Sequence, residues 1–142
     1  ISGLKGKVVL VNFWTYSCIN CIHVLPYFND WYQKYHKYGL VIIGVHTPEF
    51  EFEKSFDNVQ RAVTQDGIQY PVTLDNNYAT WTNYNNRYWP ARYLIDREGF
   101  VVYQHFGEGD YEATEKNIRV LLGLTPTGEI KHMPRPLINL SK

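Results

Sequence analysis

Val8-Val9-Leu10-Val11-Asn12-Phe13-Trp14-Thr15-Tyr16-Ser17-Cys18-Ile19-Asn20-Cys21 is an apolar run followed, after a short polar turn, by two cysteines three positions apart. The run is continuous and rich in β-branched residues, so it reads as a strand buried on both faces. From Cys18 to about Tyr38 the apolar positions Ile22, Leu25, Phe28, Tyr32 and Tyr35 step by three or four, the helix period. Pro26 inside that stretch removes one backbone bond and should kink the helix. Gly39 closes it as a C-cap. Leu40–Val45 is a second buried strand. A strand, a helix and a strand within about forty residues make a βαβ unit, whose strands are parallel.

Beyond this unit the sequence predicts a helix from Glu49 to about Gln65, ended by Asp66-Gly67, and a short strand at Tyr70–Leu74. A brief helix follows at Ala79–Tyr84, then the polar loop Asn85-Asn86-Arg87. Ala91–Asp96 and Phe100–Phe106 flank Arg97-Glu98-Gly99 as a β-hairpin. The last helix runs from about Tyr111 to Leu122, with Asp110 as its N-cap. Residues 1–122 form one domain on this reading. Residues 123–142, with three prolines and little periodicity, read as a tail or linker. The order predicts an α/β domain: a three-layer α/β/α sandwich with a central mixed sheet and an inserted helix plus short strand.

With 142 residues the chain is large enough for one hydrophobic core, and its 44% apolar and 20% charged residues suit a globular domain. Fourteen basic residues balance fourteen acidic ones, which gives no general pull toward nucleic acid or an anionic membrane. The aromatics are many but lack the interleaved Lys and Arg of a nucleic-acid surface. No apolar run reaches the roughly 20 residues of a membrane helix, so no direct insertion of this chain is expected. The chain does not begin with Met, and its sequence is silent on targeting.

Two cysteines three apart are too few for a disulfide framework. Cys18 lies just after a buried strand and at the first turn of a helix, where unpaired amide groups and the helix dipole favour an anion. The thiolate is the reacting species in exchange. Cys18 is therefore the expected exposed nucleophile. Cys21, one turn deeper and on the same side, is the expected resolving cysteine, which attacks a mixed disulfide formed on Cys18. Zinc needs four ligands, and neither a second cysteine pair nor a clustered set of histidines exists, so no metal is expected. Two inert, packed thiols are the plain alternative.

The stretch Val11–Cys21, with Pro26 five residues past the second cysteine, resembles the active-site segment of thioredoxin-like proteins. Trp89-Pro90-Ala91-Arg92-Tyr93-Leu94-Ile95-Asp96 resembles their cis-proline segment. Gly39–Glu49 and Asp75–Gly109 are most similar to the soluble domain of the DipZ proteins, a TlpA-like group. The resemblance covers about residues 4–122. It implies a thioredoxin fold and thiol–disulfide exchange with protein thiols and disulfides. It implies no cofactor beyond the Cys18–Cys21 disulfide, and a location outside the cytoplasm. It also implies a tether to a membrane electron donor of the CcdA type, in the setting of cytochrome c biogenesis.

The same resemblance assigns residues. A cis Pro90, as against an ordinary trans proline starting a strand, would leave backbone beside Cys18 free to pair with an extended substrate, and Trp89, Trp14, Ile19 and Asn20 would shape the groove, with Trp14 either covering the sulfurs or packed as a core or surface aromatic. Asn12 stands where many thioredoxins carry a buried Asp, so another group must help deprotonate Cys21. Glu49 resembles an acid placed near the redox centre in TlpA-like proteins, with a helix first-turn acid as the plain alternative; His46 is a candidate partner for it, or a strand-end histidine that is simply hydrogen-bonded. The uncharged Ile19-Asn20 dipeptide leans toward a reductant.

Two other functions fit parts of the pattern. Thr15-x-x-Cys18 is also a peroxiredoxin spacing, with Arg87 or Arg92 to polarise a peroxide, although the proline expected before that Thr is absent. A redox-inert binding module on the same scaffold is the other. Trp81, Tyr84, Tyr88 and Tyr93 read as core aromatics.

Overall fold

Seven consecutive apolar or uncharged residues, Val8–Trp14, form strand β1, and each one is buried. In the computed structural model, which describes residues 4 and 6–124, β1 is the middle strand of a five-stranded sheet. It pairs in parallel with β2 (Leu40–His46), from Val8 against Leu40 to Trp14 against His46. On its other side it pairs antiparallel with β4 (Ala91–Ile95). The short β3 (Val72–Leu74) extends the sheet beside β2, and β5 (Val101–Phe106) pairs antiparallel with β4. The order is β3-β2-β1-β4-β5.

This is the thioredoxin fold, and its helices follow from strand chemistry. β1, β2 and β3 advance in one direction, so right-handed crossovers place both connecting helices on one face. Those are α1 (Ile19–Tyr35) and α2 (Phe56–Gln65). Asn29 of α1 donates to Gly67 O just after α2 at 3.0 Å, which fixes the two side by side. Alternation along β1 then sorts the core. Val8 and Leu10 pack with Val24, Phe28, Trp31 and Tyr35 of α1 and with Ile118 of α4 (Tyr111–Leu122). Val9, Val11 and Phe13 pack on the opposite face with Tyr84, Tyr93 and the half-buried Trp81 of α3 (Ala79–Asn83). Full burial of one such large side chain stabilises by about 1.5–3 kcal/mol.

The structure departs from the sequence reading in places. The helix expected over Glu49–Gln65 is two pieces, a 3₁₀ turn at Glu51–Lys54 and α2. Ser55 separates them in an extended conformation, and its hydroxyl accepts from the Asn58 N–H, so it caps α2. α1 ends at Tyr35, short of the expected Tyr38, and a 3₁₀ turn, His36–Tyr38, follows before Gly39 at φ 105°. Asp110 precedes α4 but does not cap it with its side chain, because its backbone is left-handed and its carboxylate accepts from the Tyr103 hydroxyl. Tyr88 is 52% exposed and is not a core residue. Of the expected tail, Gly123 ends α4 and Leu124 packs on the core, while residues 125–142 lie outside the described residues. No helix among the described residues is long and apolar enough to cross a membrane.

Candidate active site

β1 delivers Thr15-Tyr16-Ser17 to the end of the sheet, and α1 starts directly after Cys18. Cys18 is the N-cap residue of α1, with extended backbone, and its carbonyl accepts from the Ile22 N–H at 3.1 Å. No acidic side chain occupies the first turn, so no carboxylate of α1 itself offsets the positive end of the helix at the sulfur. Cys18 is partly exposed, Cys21 is fully buried, and the two are unbridged thiols. The Cys21 S–H donates to the Cys18 sulfur, and the amide N–H groups of Cys21 and Asn20 add to it. Together they hold the Cys18 thiol at about 6, against an ordinary 9.0, although burial and the charge of Glu49 oppose them. Burial first, and then donation to Cys18, push the Cys21 thiol far up. The pair thus has one thiolate at neutral pH, on the exposed sulfur.

Ile19 and Asn20 are exposed beside Cys18, with Ile19 61% exposed. The Trp89–Pro90 peptide bond is cis. Trp89 is half-buried; its indole N–H donates to Thr47 O at 2.8 Å and its ring lies 4.2 Å from that of Trp81. Trp14 is not a groove residue. It is 0% exposed, beneath the sheet end, with its ring 5.0 Å from His46 and its Nε1 beside Gly44. A side chain without exposed surface cannot touch a docking protein.

His46 is also buried, between Trp14 and the stacked ring of Tyr16. Its Nε2 accepts from the Tyr16 N–H at 3.2 Å and lies 3.3 Å from Thr15 Oγ1, so it holds the turn before Cys18 rather than pairing with Glu49. Accepting at Nε2 assigns the ring proton to Nδ1. Burial lowers the His46 pKa to about 4, so the ring is neutral at physiological pH.

The acids near the pair are the part that sequence reasoning missed. Glu49 is exposed, close enough for its charge to raise the Cys18 pKa. The buried acid is Glu53, at 0% exposure. Its Oε1 accepts from the backbone N–H groups of Glu49 and Phe50 at 2.7 and 2.9 Å, and its Oε2 accepts from the Ser17 hydroxyl. Burial opposes ionisation, but the Ser17, Phe50, Glu49 and Thr15 donors outweigh it and hold the carboxyl below its ordinary range. One signal was available: Glu53 lies three residues after Phe50, the spacing at which an acid reaches back to cap its own turn. Buried Asn12 and Tyr70 supply no proton acceptor: one is an amide, and burial pushes the Tyr70 hydroxyl up. Among the described residues, no group of three or more His, Cys, Asp or Glu side chains is placed to hold a metal.

The comparisons place this geometry among known proteins. The model of the AhpC/TSA family matches residues 1–104. Protein DipZ of Mycobacterium tuberculosis is 55% identical over 136 residues, which is 96% of this chain and 19% of that protein. Thiol-disulfide oxidoreductase ResA of Bacillus anthracis is 35% identical over 115 residues, covering 81% of this chain and 64% of ResA. A crystal structure of a putative thiol:disulfide interchange protein DsbE from Chlorobium tepidum superposes with a TM-score of 0.79 at 29% identity, over 86% of this chain and 84% of that one. This chain therefore spans about a fifth of the DipZ length. A match over most of the chain, on a thioredoxin fold with both cysteines at the start of α1, makes this chain a member of the AhpC/TSA family.

Proposed function

We propose that this domain exchanges disulfides with protein partners, with Cys18 as nucleophile and Cys21 as resolving thiol. The observation that carries the reading is the asymmetry of the pair: a partly exposed thiol held near 6 against a buried one pushed far up, one helical turn apart. The Cys18 thiolate attacks a partner disulfide, forming a mixed disulfide and releasing one partner thiolate. Cys21 then loses its proton and attacks the Cys18 sulfur, releasing the second partner thiol and closing Cys18–Cys21. Ile19, Asn20, Trp89 and Pro90 line the approach to Cys18, and the Pro90 segment offers backbone to an extended substrate. Likeness to DipZ, ResA and DsbE supports oxidoreductase chemistry. We further read the domain as acting outside the cytoplasm as a reductant, supplied by a membrane electron donor of the CcdA type.

The peroxidase reading is not favoured. Arg92 is 2% exposed, and its guanidinium donates to Thr114 Oγ1 and Gly109 O between the rings of Trp31 and Tyr111. It is committed beneath α1 and α4 rather than aimed at Cys18.

The test is trapping. A bound partner makes the second step intramolecular, with a large rate advantage over an outside thiol. Cys21→Ser should accumulate reduction-sensitive adducts on Cys18 when expressed in an oxidising compartment, seen as bands on non-reducing gels. Cys18→Ser should trap almost none. Adducts on neither variant point to an inert module, and adducts mainly on Cys18→Ser reverse the roles.

A further inference from the structure

Glu53 is a full negative charge placed where a neutral residue would serve the fold. An ionised carboxylate without exposed surface costs several kcal/mol in lost hydration. Glutamine could make the same contacts: its Oε1 could accept from the Glu49 and Phe50 N–H groups, and its Nε2 could donate to Ser17 Oγ. Glu53 forms no ion pair among the described residues. The adjacent Lys54 is bound instead to Glu51 at 3.1 Å. His46 nearby is neutral. The charge is therefore retained and unneutralised, and its hydrogen-bond partner Ser17 immediately precedes Cys18.

We propose that Glu53 is a positioning residue that tunes the redox pair: its buried charge, fastened to Ser17 beside the pair, disfavours the thiolate form and so lowers the potential in the direction of a reductant. The inference rests on the exchange reading above. When the Cys18–Cys21 disulfide is reduced by a partner dithiol, the S–S bond breaks and the partner takes up a disulfide. One partner proton stays on Cys21, the other goes to water, and Cys18 carries the new negative charge. A fixed negative charge nearby raises the free energy of that product and leaves the neutral disulfide untouched. The potential falls, and reduced domain gives its electrons away more readily. Glu53 also raises the Cys21 thiol, which keeps that proton in place in the reduced pair and so slows the resolving step without changing the potential at pH 7. Glu49 acts on Cys18 in the same sense, but its charge is exposed and screened.

The experiment equilibrates the whole chain, wild type and variants, with a dithiothreitol redox buffer at pH 7 and reads the Cys18–Cys21 couple by alkylation and mass shift. Glu53→Gln keeps the hydrogen bonds and removes the charge. It should move the equilibrium about tenfold toward the dithiol, a rise of about 30 mV. Glu53→Asp keeps the charge and loosens the contacts, and should stay within about twofold of wild type. Wild-type values for both variants, or an equal shift in both, would overturn the proposal, the second by assigning Glu53 a purely structural part. If Glu53→Gln does not fold, the Glu53→Asp result and the shift in wild type between low and high salt still decide. A buried charge keeps its effect in salt, so a wild-type potential that rises toward an ordinary dithiol at high salt is also contrary to it. Failure of the exchange reading looks different: the wild-type pair would not equilibrate with the buffer at all.

Discussion

Cys18 and Cys21 differ by one helical turn, and that turn separates their chemistry. The nearer sulfur collects donors from Cys21 and from two α1 amides, while the deeper one loses its water. Alkylation by iodoacetamide should therefore label Cys18 first, with a rate that rises through a midpoint near pH 6 and is flat above it. A midpoint near the ordinary 9.0 would mean that the donors do not act. Glu49→Gln should shift that midpoint slightly downward, because its charge raises the Cys18 pKa. This is the opposite of what a proton-accepting Glu49 would do. The cysteine roles were legible in the sequence, since strand, turn and helix start are all local patterns. Glu53 was not, because its burial depends on where the 3₁₀ turn lands against Ser17, a contact 36 residues apart. The choice between groove and core for Trp14 was not legible for a related reason: proximity to the cysteines in sequence does not tell which end of a strand is covered.

β1 and β2 carry the site, and their pairing brings His46 level with Trp14, directly under the turn that holds Cys18. The buried ring has a pH signature. In the unfolded chain it gains a proton as pH falls below about 6.5, and in the folded chain only near 4. Across that window the unfolded state binds more protons, so stability falls as pH drops and is unaffected above it. The span corresponds to about 3 kcal/mol lost by pH 4. Urea unfolding of His46→Gln, which keeps an acceptor for the Tyr16 N–H, should lack that slope. A variant as acid-sensitive as wild type would remove His46 as the cause. The strands were legible because continuous apolar runs of this length admit few other readings. The Glu49–Gln65 segment was not, since the break comes from one serine whose cap competes with helix continuation.

At the scale of the whole molecule, three parallel strands and an antiparallel hairpin place the redox turn at one edge of a two-faced core. Arg92 links the two halves. From β4 it reaches Thr114 and the backbone before α4, with its charge over the rings of Trp31 and Tyr111. The topology was readable from element order and the handedness of crossovers. A buried arginine as a tie between α1 and α4 was not, because a strand arginine normally reads as exposed. The central claim is that this architecture makes a two-electron dithiol couple with one anionic sulfur. It is tested most directly by the potential of Cys18–Cys21 measured against pH. Below the Cys18 midpoint of about 6, two protons accompany two electrons, and the potential should fall by about 59 mV per pH unit. Above it only Cys21 is protonated, and the slope should halve to about 30 mV per unit. A bend near pH 6 is the predicted result; no reversible couple, or one unbroken slope through neutral pH, would contradict the account.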